Sequence, residues 1–470
     1  MPRPSFKRIF KIIGITAVVG FSSLVLLVAA ALSLWIKIYV PHCQQVAEER
    51  WAAIGRPMPK FARGLKAVAE NDSFRALTHD LQPFGVKTFY KAREGEQNPN
   101  SINVPKQITD VIDPANSPEA DQIDLSSHDF SYLDQHAADL DRLYQGILQR
   151  ELAVWSFVPQ DGMGLRVPSY LTARYMSQLI WVDALHKLER GDQKEAADAV
   201  AAGLKMTSNI GEQPILISQM IRVAIDGLYA QIVARLPEDR EALKHLATEV
   251  GAKREMWRTA LQTETWAVMN VIDYAGMKPD EFSRLYETAS PIRKFYISSV
   301  QSFEQADCSL FISGAADQIA ISERVNELAL SDLGTKEMSE ACSRYAPVLT
   351  TTHGFGSLSE IFRATWSRSW IRLNATLLLR EQAELIRSVR TQVQLGKSGN
   401  LGERESVVIP GAKWQITGDA NTNAVSLKLA PIPIWTSNRE MIPQNFFLLP
   451  LDGSKSWKFG PRSVASTTTD

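Results

Sequence analysis

The sequence predicts a mainly α protein with a single N-terminal transmembrane helix, an exported multi-helix domain of αα-hairpins and a small C-terminal antiparallel β tail. Three observations predict it. Residues 12–36 form an apolar run of 25 residues without a charge. From Tyr132 to about Val393, apolar residues recur at three- and four-residue spacing, the mark of helices that bury one face. After Gly396, short alternating segments separated by Gly, Pro, Asn and Asp take over. The expected organisation is 1–40 as cytoplasmic tip and transmembrane helix, 41–127 as membrane-proximal helices and polar linker, 128–396 as the helical domain, and 397–470 as the β-rich tail.

The apolar run is preceded by Arg3, Lys7, Arg8 and Lys11 and closed by Lys37. As a helix it is about 37 Å long, enough to cross a hydrocarbon core of ~30 Å with some tilt. Phe6 and Phe10 flank one end and Trp35 and Tyr39 the other, as interfacial aromatics do. The basic excess before the run places the N-terminus in the cytoplasm and the rest of the chain outside. A cleaved signal peptide, with Ala29-Ala30-Ala31 as its site, is the competing reading, but the run is longer than an ordinary signal core and continues past that site. His42-Cys43 lacks the small residues of a lipoprotein signal, and Gly20-Phe21 lacks the glutamate that follows a prepilin site.

Beyond the membrane the anchor helix is expected to continue and then break at Gly55, Pro57 and Pro59, with amphipathic pieces at Phe61–Glu70 and Ser73–Leu81. Pro99, Pro105, Pro114 and Pro118 punctuate a polar, acidic linker from Lys91 to Ser127. Helices are predicted at Tyr132–Ser156, Ser169–Arg190 and Lys194–Ser208, the last capped by Asp192. Pro214 opens a helix that runs to Leu236, and Pro237 restarts one that extends to Tyr274. Shorter helices follow at Asp280–Ala289, Pro291–Ala306, Ala315–Leu330 and Lys336–Tyr345, then a long one at Ser359–Leu395. Strands are predicted at Glu405–Pro410, Lys413–Thr417, Ala424–Ala430, Asn445–Pro450 and Ser456–Phe459.

Composition excludes several classes. The 470 residues carry 51 Lys and Arg against 52 Asp and Glu, a net charge of −1, which gives no nucleic-acid footprint. Three cysteines make no disulfide scaffold, and no Cys or His spacing reads as a zinc site. Residues 391–398 end like a phosphate-binding loop in Gly396-Lys397-Ser398, but Thr391 stands where the first glycine belongs and a helix precedes it. His128, His136, Asp129 and Asp139 gather near one helix start. There a cap and solvated polar groups are the plain reading and a metal site the sharper one.

The sharpest surface feature is on the long late helix. Arg368, Arg372, Arg380, Arg387 and Arg390 fall within an arc of about 120°, a candidate contact for an anionic partner beside the plainer reading of a solvated face partly paired with acids on neighbouring helices. Trp366 and Trp370 lie one turn apart and read as core or domain-contact residues. Cys308 and Cys342 are candidates for a disulfide across adjacent helices in an oxidising compartment, with buried thiols the plainer alternative. Cys43 at the membrane surface is placed to cross-link parallel anchor helices.

Ala184 to Ala196, with Gly191-Asp192 between two helices, resembles the turn of a tetratricopeptide-type hairpin, in a single copy. That hairpin, the Ile217–Ile225 segment Ile-Ser-Gln-Met-Ile-Arg-Val-Ala-Ile, the Arg372–Arg390 helix and a short β tail together resemble N-terminally anchored helical proteins of some environmental bacteria. The resemblance spans about half the chain and implies the bacterial inner membrane, single-pass, with the bulk of the chain periplasmic or extracytoplasmic. It implies no activity.

The function expected is therefore a protein-interaction or scaffold module of the envelope. The expected partners are the membrane, through one N-terminal span, and a protein in the envelope, with no nucleic acid, cofactor or catalytic residue assigned and the oligomeric state open. Two alternatives stand beside it: an all-α hydrolase or lyase using paired carboxylates, and an exported small-molecule-binding module that signals through its anchor.

Overall fold

The computed structural model describes residues 6–56, 68–86, 129–156, 169–211, 215–236, 242–274, parts of 287–330, 356–433 and 451–458. The protein is mainly helical, with a small antiparallel sheet of four strands at its C-terminal end. It divides into two compact units. One comprises Met1–Phe61, Val268–Asp317 and Pro347–Ser359; the other comprises Ala62–Ala267, Gln318–Ala346 and Glu360–Asp470.

Helix α1, Phe6–Ala53, is one continuous element of 48 residues that passes through Pro41 and contains the run 12–36. Gly55 ends it with a left-handed φ of +67°: its N–H donates to Ala52 O and that of Arg56 to Trp51 O. Reaching back in this way satisfies the last carbonyls of the helix. Two further helices end alike, at Gly191 and Gly396. On the buried side of α1, Trp51 donates its indole N–H to Ile312 O at 3.0 Å and Arg50 pairs with Asp317.

In the second unit α2 spans Asp72–Asp80, where Ser73–Leu81 was expected. Asn71 caps it, accepting the Phe74 N–H at 3.0 Å. The helix predicted at Tyr132–Ser156 is instead α3, Ser131–Gln135, and α4, Ala137–Gln149, with an extended segment after Arg150. Side chains displace the last helical turns. Lys205 caps Leu148 O at 3.0 Å and the Arg150 carbonyl, while Asn209 and Asn71 accept the N–H groups of Ala153 and Val154 at 3.0 and 2.9 Å. Trp155 is thereby buried, with its indole N–H on Asn209 O at 2.9 Å.

The expected hairpin is present as α5, Tyr170–Glu189, and α6, Gln193–Gly211, joined through Gly191. Helix α7, Leu216–Val233, packs on both. Gly203 on α6 lies under the Tyr229 ring, where a Cβ would overlap the ring and hydroxyl; Tyr229 donates to Ser177 O at 2.8 Å. Among the described residues α7 is long and apolar enough to cross a membrane, but 67% of it is buried within the fold, as a core helix is. Helices α8, Ala242–Tyr274, and α9, Gly356–Gln394, complete the described body.

The sheet has the order β1-β2-β3-β4, with Gly399–Glu405, Lys413–Asp419, Ala424–Ala430 and Asp452–Lys458 paired as a meander. On β2 the side chains alternate, with Trp414 and Ile416 inside and Lys413, Gln415 and Thr417 outside. Ile416 pairs with Leu427 and Val425 with Trp457. The first strand lies at 399–405, not at Glu405–Pro410: Val407 to Gly411 form the turn into β2, and the Gly402 bulge opens the β1 edge. The fourth begins at Asp452, earlier than Ser456, and Asn445–Pro450 lies outside the described residues.

Candidate functional site

The exposed side of α1 is built in a way that water disfavours. Leu24, Leu27, Val28, Leu34, Trp35 and Ile38 are 41–69% exposed. At 100° per residue they fall in an arc of about 120°. Val40, Cys43, Ala47 and Trp51 are buried on the opposite side. Large apolar side chains are seldom left together on one exposed face of a protein in water.

A second constellation lies inside the helical body, where α7, α8 and α9 bury charge. Asp226 on α7 and Lys253 on α8 pair at 2.8 Å, each side chain 7% exposed, and Glu249 joins Lys253 at 3.4 Å. Burial alone pushes the Asp226 carboxyl up, but Lys253 and Arg222 outweigh it and hold the group below the usual carboxylate range. On α9, Glu384 takes Arg380 at 3.1 Å and Arg387 at 3.4 Å. Glu381, one turn earlier, is 1% exposed and accepts the Val407 N–H at 2.6 Å and the Ser406 hydroxyl at 2.7 Å. Burial pushes its carboxyl up, against the pull of those two donors. Arg254 donates to Asn374 Oδ1 at 3.1 Å and Val408 O at 2.8 Å, its guanidinium pushed down to about 10 by burial and by Arg258.

Within this network the arginines of the arc differ in exposure and pairing. Arg372 alone of its described side chains is exposed. Arg380 and Arg387 are turned to Glu384, and Arg390 donates to the Arg235 carbonyl. The side chain of Arg368 lies outside the described residues. The reason is local: a glutamate at i+4 from Arg380 and i−3 from Arg387 satisfies both as the helix is buried. Trp370 is core, 6.3 Å from Trp257, with its indole N–H directed at Ser322 Oγ at 3.4 Å. Trp366, Cys308, Cys342 and His128 fall outside the described side chains, so the disulfide candidate does as well.

The remaining motifs resolve into caps and stacks. Asp129 accepts the Ser131 N–H at 2.9 Å, and His136 approaches Asp139 at 3.4 Å between the rings of Tyr132 and Phe84. Among the described residues no three His, Cys, Asp or Glu side chains converge as metal ligands. Gly396 and Lys397 donate to Val393 and Gln392 carbonyls, so the phosphate-loop look-alike is a helix C-cap whose carbonyls face the turn.

Sequence reading missed a clasp between α4 and α5. Tyr144 donates to Asp183 Oδ2 at 2.7 Å, and Lys187 pairs with Asp183 at 3.1 Å and Asp141 at 3.0 Å. Burial works to lower the Lys187 ammonium, but Asp183 and Asp141 outweigh it and raise it. The i,i+4 spacing of Asp183 and Lys187 was the available signal; the tyrosine, 39 residues away, had none. No protein-family model, curated protein or solved structure matches the chain.

Proposed function

We propose that the chain is a single-pass envelope protein, N-terminus in the cytoplasm, whose large exported helical body and β tail serve as a scaffold for another envelope protein. The observation that carries the anchor is the exposed apolar arc of α1, Leu24 to Ile38, on a helix that begins among basic residues and ends buried in a folded unit. A 48-residue helix is long enough to cross a bilayer of ~30 Å and continue into the domain.

The scaffold part is supported by how the body uses its charge. Asp226 and Glu381 hold elements together through a cation and N–H and O–H donors, and Asp183 does the same between α4 and α5. A helical-hairpin body offers broad surfaces of the kind that bind proteins. The bacterial inner membrane is the compartment that the resemblance adds.

The test has two parts. Membranes containing the full chain are washed with alkaline carbonate, and the chain is then crosslinked in place and purified. Retention in the pellet together with a reproducible, stoichiometric partner supports the reading. Release by carbonate removes the anchor. A monomer that crosslinks to nothing removes the scaffold.

A further inference from the structure

Along one line of α1 the chemistry changes within a single turn. At 100° per residue His42, Gln45 and Glu49 fall in the same arc of about 120° that carries Leu24, Leu27, Val28, Leu34, Trp35 and Ile38. All nine are exposed. The large exposed side chains on this line are thus apolar as far as Ile38, and the exposed His42, Gln45 and Glu49 beyond them are polar, with Gln45 donating to Glu49 at 2.8 Å.

The opposite side changes at the same level, from the half-buried Ala29, Ser33 and Ile36 to a buried row. Val40, Cys43, Ala47 and Trp51 are buried, and Arg50 and Trp51 are tied to Asp317 and Ile312. Just below the switch, Trp35 and Tyr39 stack with ring centroids 4.4 Å apart, and Lys37 is exposed between them. Amphipathic aromatic rings and snorkelling lysines settle at the head-group level of a bilayer. An exposed carboxylate such as Glu49 cannot enter the hydrocarbon without a large penalty.

We infer that the outer surface of the bilayer crosses α1 between Ile38 and His42. The folded unit that buries Val40, Cys43, Ala47 and Trp51 therefore begins at the lipid head groups, with no stalk between membrane and domain. This rests on the membrane-anchor reading and adds to it the depth of the helix and the lipid contact of a named face.

Accessibility of single cysteines tests it. Leu34→Cys, Ile38→Cys, His42→Cys and Glu49→Cys are placed in the full chain with its three native cysteines replaced by alanine. Intact spheroplasts are treated with a membrane-impermeant maleimide, then treated again in detergent. His42→Cys and Glu49→Cys are expected to label in both, and Leu34→Cys and Ile38→Cys at least tenfold faster in detergent. If Ile38→Cys labels as fast as His42→Cys, or His42→Cys is as protected as Leu34→Cys, while the chain stays in the carbonate-washed pellet, the boundary is wrong and the anchor stands. If carbonate releases the chain, both fall, and protection of Leu34→Cys then reports a protein on that face. For a cysteine-free chain that fails to accumulate, the wild-type protein is photolabelled by a lipid with a diazirine on its acyl chain. Adducts between Leu24 and Ile38 with none from His42 to Glu49 uphold the boundary, and adducts on both stretches overturn it.

Discussion

Glu381 accepts the backbone N–H of Val407 at 2.6 Å, joining the middle of α9 to the turn that leads into β2. The same carboxylate takes the Ser406 hydroxyl, and Arg254 holds the next carbonyl, Val408 O, at 2.8 Å. The sheet is therefore fastened to the helices by a buried glutamate and a half-buried arginine acting on three consecutive residues.

Glu381→Ala leaves a half-buried N–H and hydroxyl without this acceptor and is expected to cost about 1–3 kcal/mol, read as a urea midpoint. Glu381→Gln keeps one acceptor and stays closer to wild type. The folded carboxyl titrates above its unfolded value, so its contribution is fully present below the unfolded value and is lost as pH rises through the folded one. Between the ordinary carboxylate range and neutrality the wild type should gain stability on acidification relative to Glu381→Gln. Parallel pH profiles of the two would show that Glu381 is not the group responsible.

Asp226 carries the opposite sign. Its folded carboxyl titrates below the unfolded value, so its contribution is present above the unfolded value and is lost as pH falls through the folded one. Lys253→Met strands a buried carboxylate and is expected to destabilise by about 3–5 kcal/mol. Adding Asp226→Leu should restore part of that, because the pair is then replaced by apolar volume. A double variant no better than the single would indicate that Arg222 and Arg380 dominate the site.

Two glycines separate close packing from helix propensity. Gly203→Ala drives a methyl into Tyr229 and should cost about 1–3 kcal/mol. Gly251 on α8 is exposed with nothing near its Cβ position, and Gly251→Ala should stabilise by about 0.5–1 kcal/mol. Thermal midpoints moving in opposite directions verify both.

Arg372→Glu, on the exposed side of α9, is expected to leave the thermal midpoint unchanged. Arg380→Glu places a third acid beside Glu384 and Asp226 and should lower it strongly. Equal effects would restore the picture of a single solvated arginine face.

The parts of this fold that sequence patterns reveal are those dictated by local chemistry. Gly55, Gly191 and Gly396 each end a helix where a left-handed residue is required, and each was readable as a stop. The alternation of β2 and β3 was readable because one face is apolar and the other polar. The first strand was not: Gly399-Asn400-Leu401-Gly402 has little β propensity and pairs only because β2 is beside it, whereas Val407, Val408 and Ile409 look like a strand and form a clamped turn. The end of α4 was hidden for the same reason, since Lys205, Asn209 and Asn71 reach it from elsewhere in the chain. In the candidate site, the apolar run of α1 was plain from composition, but the buried row that follows it, Val40 to Trp51, depends on packing against residues such as Ile312 that are distant in sequence. For the arginine arc, angular position alone did not give the pairing of Arg380 and Arg387 with Glu384 on the same helix.

The proposed topology places the body outside the cytoplasm on a helix that crosses the membrane once. Paired topology reporters fused after Asp470 decide it. A reporter that works only outside the cytoplasm is expected to be active and one that works only inside to be silent. The reverse pattern would put the body in the cytoplasm and overturn the proposal.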